Sequence, residues 1–178
     1  MAYNLINVDF LHKISKTYPG RASSSPIIDS LITLLHLGKS GYNELITKRD
    51  NLYLYLKQEL VAISEKFGEK VLEVPENPIS LAITLCTIPK EDLTKLGSML
   101  FLRNISGTRV ITTVEFKTIE GYKFNGWGSH CDSFKVPYLT AAASIGVEKT
   151  EIDGFIKKLN SVLLKLQKEC KNNKNNTL

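Results

Sequence analysis

Residues 64–86 read SEKFGEKVLEVPENPISLAITLC, and the spacing of the hydrophobic residues changes within this stretch. Before Gly68, leucine and isoleucine recur every three to four residues from Leu45 onward, as expected for a helix with one apolar face. After Gly68, Val71–Val74 and Ile79–Cys86 are short β-branched runs between prolines, and such runs favour strands. The change of period predicts an α/β fold with helices packed on a small sheet.

Upstream of this stretch, the sequence predicts two further helical segments. The first covers Leu5–Lys16 and ends at Tyr18–Gly20, where proline and glycine favour a turn. The second begins with Ser25 as the N-cap and Pro26 in the first turn, and Gly38 is expected to stop it. A loop rich in serine therefore separates the two helices.

Downstream, helical and extended patterns alternate. Lys90–Leu102 has helical spacing and Thr108–Phe116 is β-branched, so we expect a helix and then a strand. Glu120–Lys135 contains several glycines among aromatic residues and indicates a loop or irregular hairpin. Tyr138–Ile145 is interpreted as a helix, and Ile152–Leu166 as a long final helix whose apolar residues share one face.

Composition limits the class of protein. The chain of 178 residues is 43% hydrophobic and 23% charged, close to globular averages, and it has no apolar run long enough to span a bilayer. Three widely spaced cysteines indicate thiols in a reducing compartment, and the start of the chain does not resemble a secretory signal, so we expect a cytoplasmic location. The net charge of +5, with lysines concentrated towards the C-terminus, favours anionic partners.

A candidate phosphate site lies in YPGRASSSP, residues 18–26, where Arg21 and three serines precede a helix start. Helix N-termini offer unpaired N–H groups, and an arginine fork suits phosphate geometry. Composition alone favours the simpler interpretation, a solvated arginine with serines that cap the helix.

Two arginines and a series of lysines are candidates for RNA contact. Arg103 ends the Lys90–Leu102 helix and Arg109 begins the following strand, while lysines such as Lys168 recur on the last helix. The simpler interpretations are that Arg103 complements the helix dipole and that the lysines form a solvated face. The alternative is RNA binding, with arginine on bases or backbone and lysine on phosphates.

Other reactive residues give weaker signals. His130 and Cys131 are adjacent in sequence, and adjacent side chains rarely form a catalytic dyad. Trp127 and Tyr122 have the ring chemistry to stack on a base, although such residues more often anchor a loop.

Several blocks of the sequence resemble, in the same order, the O-phosphoseryl-tRNA(Sec) selenium transferase family. The likeness runs from about residue 10 to residue 169. Its blocks are YPGRASSSP (18–26), LGKSGY (37–42), NPISLA (77–82), LGSMLFLRNISGTRV (96–110), GSH (128–130) and YLTAAASIGVEKTEIDGFIKKL (138–159).

The resemblance implies an aspartate-aminotransferase-like (fold type I) enzyme that depends on pyridoxal 5′-phosphate and forms a homotetramer. Such an enzyme converts O-phosphoseryl-tRNA(Sec) to selenocysteinyl-tRNA(Sec) with selenophosphate. The chain is similar to its C-terminal part, so residues 1–37 would connect from a large cofactor-binding domain. Residues 38–171 would form the small domain, and residues 172–178 a disordered tail.

The same resemblance assigns roles to three residues. Arg21 matches the arginine that holds the phosphate of the phosphoseryl group, and Arg103 matches an arginine that contacts the discriminator end of the tRNA acceptor arm. Lys168 matches a lysine that contacts the tRNA. The family's Schiff-base lysine lies upstream of the matching region, so we expect no catalytic residue in this chain and no activity of the chain alone. The alternative is a non-catalytic RNA-binding or interaction module derived from that family.

Overall fold

The computed structural model describes residues 8–17, 20, 23–112, 116–126 and 135–175, without the side chains of residues 8–11 and 171–175. The chain divides into two compact units, Met1–Tyr42 and Asn43–Leu178. In these described ranges the helices are α1 (Val8–Thr17), α2 (Ser25–Phe67), α3 (Leu93–Phe101) and α4 (Lys149–Asn175), with a 3-10 turn at Lys90–Asp92. The strands are β1 (Val71–Leu72), β2 (Ser80–Thr84), β3 (Arg109–Ile111), β4 (Phe116–Ile119), β5 (Tyr122–Asn125) and β6 (Tyr138–Ala142).

The first unit contains α1 and the beginning of α2. Gly38 has φ of 61° and ψ of −176°, which breaks the helical conformation within α2. Glycine adopts this positive φ without a steric penalty, so the prediction that Gly38 interrupts the helix is confirmed. The helix starts one residue earlier than predicted, because the carbonyl of Ser24, and not Ser25, accepts the first helical bond, from the Ile28 N–H at 3.0 Å.

The second unit is built on a four-stranded antiparallel sheet with the order β1-β2-β6-β3. In β6, Leu139 and Ala141 are buried and alternate with more exposed residues, and Leu139 pairs with Ile83 of β2. The predicted helix over Tyr138–Ile145 is therefore wrong. Alanine has high intrinsic helix propensity, but pairing with two neighbouring strands outweighs local propensity at the centre of a sheet.

The core lies between this sheet and one face each of α2, α3 and α4. The apolar faces predicted for the second part of α2, for α3 and for α4 are confirmed, since their leucines at helical spacing are the ones with the lowest exposure. The apolar residues that repeat before Gly38, Ile28 to Leu35, are exposed instead. The largest fully buried side chains are Leu56, Leu60, Ile83, Leu85, Leu93, Leu96, Leu100, Ile111, Leu139, Leu159, Val162 and Leu166.

Helices α2 and α4 also make polar contacts along their edges. The Tyr55 hydroxyl donates to Asp153 Oδ1 at 2.5 Å, and this bond, with partial desolvation and the carboxylate charge, raises the pKa of Tyr55 to about 12. Two turns further along α4, Lys66 Nζ donates to Asn160 Oδ1 at 2.8 Å. These contacts fix α4 relative to the second part of α2.

Three other predictions need revision. The strand expected over Thr108–Phe116 is divided, because β3 ends at Ile111 and β4 begins at Phe116. Of the two alternatives for Glu120–Lys135, a loop or an irregular hairpin, the loop is wrong for β5, which forms a hairpin with β4 across a tight turn where Glu120 and Gly121 both have positive φ. The backbone of residues 172–175 is helical, because the hydrogen-bonded ladder of α4 extends beyond its apolar face.

A candidate nucleic-acid interface at the end of helix α3

The end of α3 is a Schellman motif, a C-terminal helix cap in which one residue adopts a left-handed conformation. The Ile105 N–H donates to the Leu100 carbonyl at 3.0 Å, and the Asn104 N–H donates to the Phe101 carbonyl at 2.9 Å. Asn104 occupies the left-handed position with φ of 59°. Ile105 then packs against the core next to buried Leu100, as this motif requires. The motif therefore fixes the turn that carries Arg103.

Arg103 is half-buried on this turn, and its guanidinium Nη1 donates to the Met99 carbonyl at 2.9 Å. Met99 lies in the last turn of α3, whose carbonyls carry the negative end of the helix dipole. The bond to Met99 agrees with the simpler interpretation, in which the charge of Arg103 complements the negative end of the helix. It accounts for one N–H group of the guanidinium. A guanidinium has more N–H donors than this one bond uses, so the anchored side chain retains the capacity to bind a further acceptor.

The charged residues of the turn itself are basic. Residues 96–112 contain Arg103 and Arg109 but no aspartate or glutamate. Lys95, at the other end of α3, is paired with Asp92. Arg109 is exposed at the start of β3. A segment with cations and no local acid attracts anions, and a nucleic-acid backbone is the commonest large anion that proteins bind with arginine and lysine.

A cavity of about 340 Å³ lies beside the same turn. Residues 104–108 form one wall, and the end of β6 and the first turns of α4, including Phe155, form the other. Its one acidic lining residue, Glu151, accepts the Glu148 N–H at 2.8 Å as part of a cap on α4. The cavity has hydroxyl and apolar walls, and it places the α3 turn next to the N-terminal end of α4.

Lys168 is exposed on α4, at the opposite end of the α3–α4 pair. The pKa of Lys95, in the first turn of α3, is raised first by its hydrogen bond to Asp92 and, more weakly, by the charge of Glu169. The start of α3 therefore faces the end of α4, and the two predicted tRNA contacts are separated along the helix pair. At 1.5 Å per residue from Phe155 to Lys168, the separation is about 20 Å. The structure thus places the two predicted contact residues on an extended surface and not in one pocket.

The remaining candidates of the sequence analysis lie elsewhere. Arg21, Trp127, His130 and Cys131 fall outside the described residues. No group of histidine, cysteine and carboxylate side chains suited to a metal occurs in the described part of the chain. Among these residues, no helix is both long and apolar enough to cross a bilayer.

One described cavity that contains lysines, between α2 and α4, does not fit pyridoxal phosphate. This second cavity, of about 550 Å³, contains two lysines, but both are already engaged. Lys48 Nζ is bonded to Glu148, and Lys149 Nζ lies 4.7 Å from the centre of the Tyr55 ring. Glu44 and Glu148 also line this cavity and would repel a phosphate group. We therefore derive no chemical step through that cofactor from these residues.

Comparison with known proteins identifies the family. The sequence model of the O-phosphoseryl-tRNA(Sec) selenium transferase family, SepSecS, matches residues 4–164. The chain belongs to this family. Curated members of it from Caenorhabditis elegans and Dictyostelium discoideum are 41% and 39% identical, and both alignments cover 89% of this chain. The member from the archaeon Methanocaldococcus jannaschii is 36% identical over 86% of the chain.

The solved structure of an archaeal O-phosphoseryl-tRNA(Sec) selenium transferase matches 87% of this chain with a TM-score of 0.65 and 28% identity. The predicted fold class, part of a fold type I enzyme of the SepSecS family, is confirmed by this match. The chain spans about a third of the length of the relatives it matches, between 32% and 37%.

The left-handed conformation of Asn104 leads to a prediction about stability. An Asn104→Ala substitution should lower the free energy of unfolding by about 1 kcal/mol, because alanine tolerates this conformation poorly, whereas Asn104→Gly should change it by less than about 0.5 kcal/mol. Chemical denaturation measures both values. Asn51→Ala, on an exposed and regularly helical part of α2, is the control and should not destabilise. Equal effects of alanine and glycine at Asn104 would contradict the strained geometry.

Proposed function

We propose that this chain is a C-terminal part of a pyridoxal-phosphate-dependent selenium transferase, an enzyme that converts O-phosphoseryl-tRNA(Sec) to selenocysteinyl-tRNA(Sec) with selenophosphate. Within it, the chain contributes a surface for the tRNA. The observation that carries this proposal is the turn after α3, where Arg103 is anchored beside a capped helix end in a segment without acidic residues. Membership of the SepSecS family supports the activity.

Each of the three family-matched residues has a distinct role in this proposal. Arg103 contacts the discriminator end of the acceptor arm through the guanidinium N–H groups that do not bond Met99. Lys168, about 20 Å away along α4, neutralises a backbone phosphate of the same arm. Arg21 binds the phosphate of the phosphoseryl group. The cofactor and its lysine belong to a large domain elsewhere in a cytoplasmic homotetramer.

A second candidate function is a non-catalytic RNA-binding module. Its support is that both lysines of the cavity of about 550 Å³ between α2 and α4 are engaged and that this cavity does not suit the cofactor. Both proposals require the same RNA surface and differ in chemistry. An absorption spectrum separates them: the full-length enzyme, but not a module, should form an aldimine band with pyridoxal phosphate, and the isolated chain should form none.

The RNA surface is tested by Arg103→Ala. In the chain as given, this substitution should weaken binding of a tRNA(Sec) acceptor-stem hairpin by roughly 5- to 150-fold if the guanidinium contacts a base edge. Arg103→Lys should recover only part of the affinity, since an ammonium group keeps the charge but loses the planar fork. Fluorescence anisotropy at several salt concentrations measures the dissociation constants.

Lys168→Ala supplies the comparison, because a phosphate contact should reduce the salt slope by about one and weaken all RNA sequences alike. Lys57→Ala is the matched control: this lysine is half-buried, like Arg103, and its Nζ lies 3.7 Å from a Glu73 carboxylate oxygen. If Arg103→Ala and Lys57→Ala bind equally well, Arg103 is only a helix-capping residue and the proposed RNA surface is wrong.

A further inference from the structure

Two large apolar side chains are exposed directly before Arg103. Phe101 is 67% exposed and Leu102 is 79% exposed, although the other leucines of α3 are fully buried. A single exposed apolar side chain is ordinary in a soluble protein. An aromatic ring and a leucine next to an anchored guanidinium instead combine apolar and cationic contacts in one place.

Backbone hydrogen bonds hold these side chains outside the core. The Leu102 N–H donates to the Ser98 carbonyl at 3.0 Å, and the Arg103 N–H donates to the Leu100 carbonyl at 2.9 Å. Asn104 and Ile105 then close the Schellman motif, so Leu100 and Ile105 occupy the inner side of the turn. Phe101 cannot turn inward without breaking this cap, because the inner positions are already filled.

The chemistry of the turn favours a nucleotide over an apolar protein surface. Residues 96–112 carry Arg103 and Arg109 and no acid, which complements a phosphate backbone. A nucleobase has an apolar face that stacks on an aromatic ring, and sequence-tolerant binding of single strands combines such stacking with nearby arginine or lysine. Bases inside a duplex are already stacked on both faces, whereas an unpaired nucleotide presents a free face.

We propose that Phe101 is a stacking platform for an unpaired nucleotide at the single-stranded end of the RNA that Arg103 contacts, with Leu102 extending the apolar surface. This inference rests on the proposed function, since it takes the RNA surface around Arg103 as given. It adds a residue that binds the ring of a base, where Arg103 supplies hydrogen bonds and charge. The free 3′ end of an acceptor arm has the required chemistry.

The test uses the full chain and two RNA probes at one fixed salt concentration, an acceptor-stem hairpin with a single-stranded 3′ extension and the same hairpin with a blunt end. Phe101→Ala should weaken binding of the extended hairpin by roughly 5- to 150-fold, the range for loss of one stacking aromatic, and leave the blunt hairpin unchanged. Phe101→Tyr should retain the wild-type affinity. Tyr122→Ala, which removes an aromatic of similar exposure from the β4–β5 hairpin, should change neither probe.

Three other results would contradict the proposal, and each identifies which part of it is wrong. Equal affinity of wild type and Phe101→Ala for the extended hairpin removes the stacking role and leaves the Arg103 surface in place. Failure of the wild-type chain to bind either probe overturns the RNA surface as well. If Phe101→Ala leaves RNA binding intact but changes the oligomeric state in sedimentation velocity, the exposed pair is a protein contact. Thermal unfolding of each variant confirms that it is folded.

Discussion

Replacing Arg21 by alanine in the full-length enzyme is expected to lower kcat/KM for O-phosphoseryl-tRNA(Sec) by at least about 100-fold, as does the loss of one key donor to a developing anion in other enzymes. Arg21 comes four residues before Ser25, where α2 begins, and the serines at positions 23 to 25 follow it in the sequence. Phosphate is the leaving group of the proposed reaction, so a fork that binds two of its oxygens both positions the substrate and stabilises the departing charge. Single-turnover kinetics measures the effect.

The specificity of this effect is tested with seryl-tRNA(Sec), which lacks the phosphate. Arg21→Ala should weaken binding of the phosphoseryl form and leave binding of the seryl form unchanged, because the guanidinium has no partner in the latter. Arg103→Ala is the matched contrast, since loss of a tRNA contact should weaken both forms equally. Wild-type turnover by Arg21→Ala would refute the phosphate role, and equal weakening of both forms would make Arg21 another tRNA contact.

Much of the fold follows from local patterns in the sequence. The apolar faces of α3 and α4, the interruption at Gly38 and the change to strands after Gly68 depend on residues close together in the chain, so their spacing predicts them. The failure at β6 has the opposite cause. Its alanines favour a helix locally, and only pairing with β2 and β3, which are distant in sequence, makes the segment a strand.

The candidate site was predictable only in part. The arginine at the end of a helix is visible in the sequence, and the asparagine after it, Asn104, is a local signal for a left-handed cap. The exposure of Phe101 was not predictable, because the hydrophobic pattern alone does not say which apolar residues of the last turn face outward. The distance between Arg103 and Lys168 was not predictable either, because it depends on how α3 packs against α4.

The most consequential buried polar residue, Glu69, gave no signal in the sequence. It is 4% exposed and accepts four hydrogen bonds from a segment at least 15 residues away. Oε2 accepts the Thr84 hydroxyl at 2.5 Å and the Cys86 N–H at 2.9 Å, and Oε1 accepts the Thr87 N–H at 2.6 Å and its hydroxyl at 2.7 Å. The carboxylate thus joins the end of α2 to the turn that follows β2.

Glu69→Ala should lower the free energy of unfolding by roughly 3 kcal/mol, since it leaves two backbone N–H groups without their acceptor and opens a cavity. Glu69→Gln should lower it by about 2 kcal/mol despite its similar volume, because either orientation of the amide places an NH₂ group against two donors. The alanine variant should also unfold at a temperature on the order of 10 °C lower. Urea denaturation and calorimetry measure these changes.

The nearby Glu73 provides the matched control, because it is an exposed carboxylate whose ion pair with Lys57 is long, at 3.7 Å. Glu73→Ala should change the free energy of unfolding by less than about 0.5 kcal/mol. The contrast isolates burial and hydrogen bonding from the simple loss of a negative charge. Equal stability of the Glu69 and Glu73 variants would mean that water satisfies the turn after β2 as well as the carboxylate does, and the role assigned to Glu69 would then be wrong.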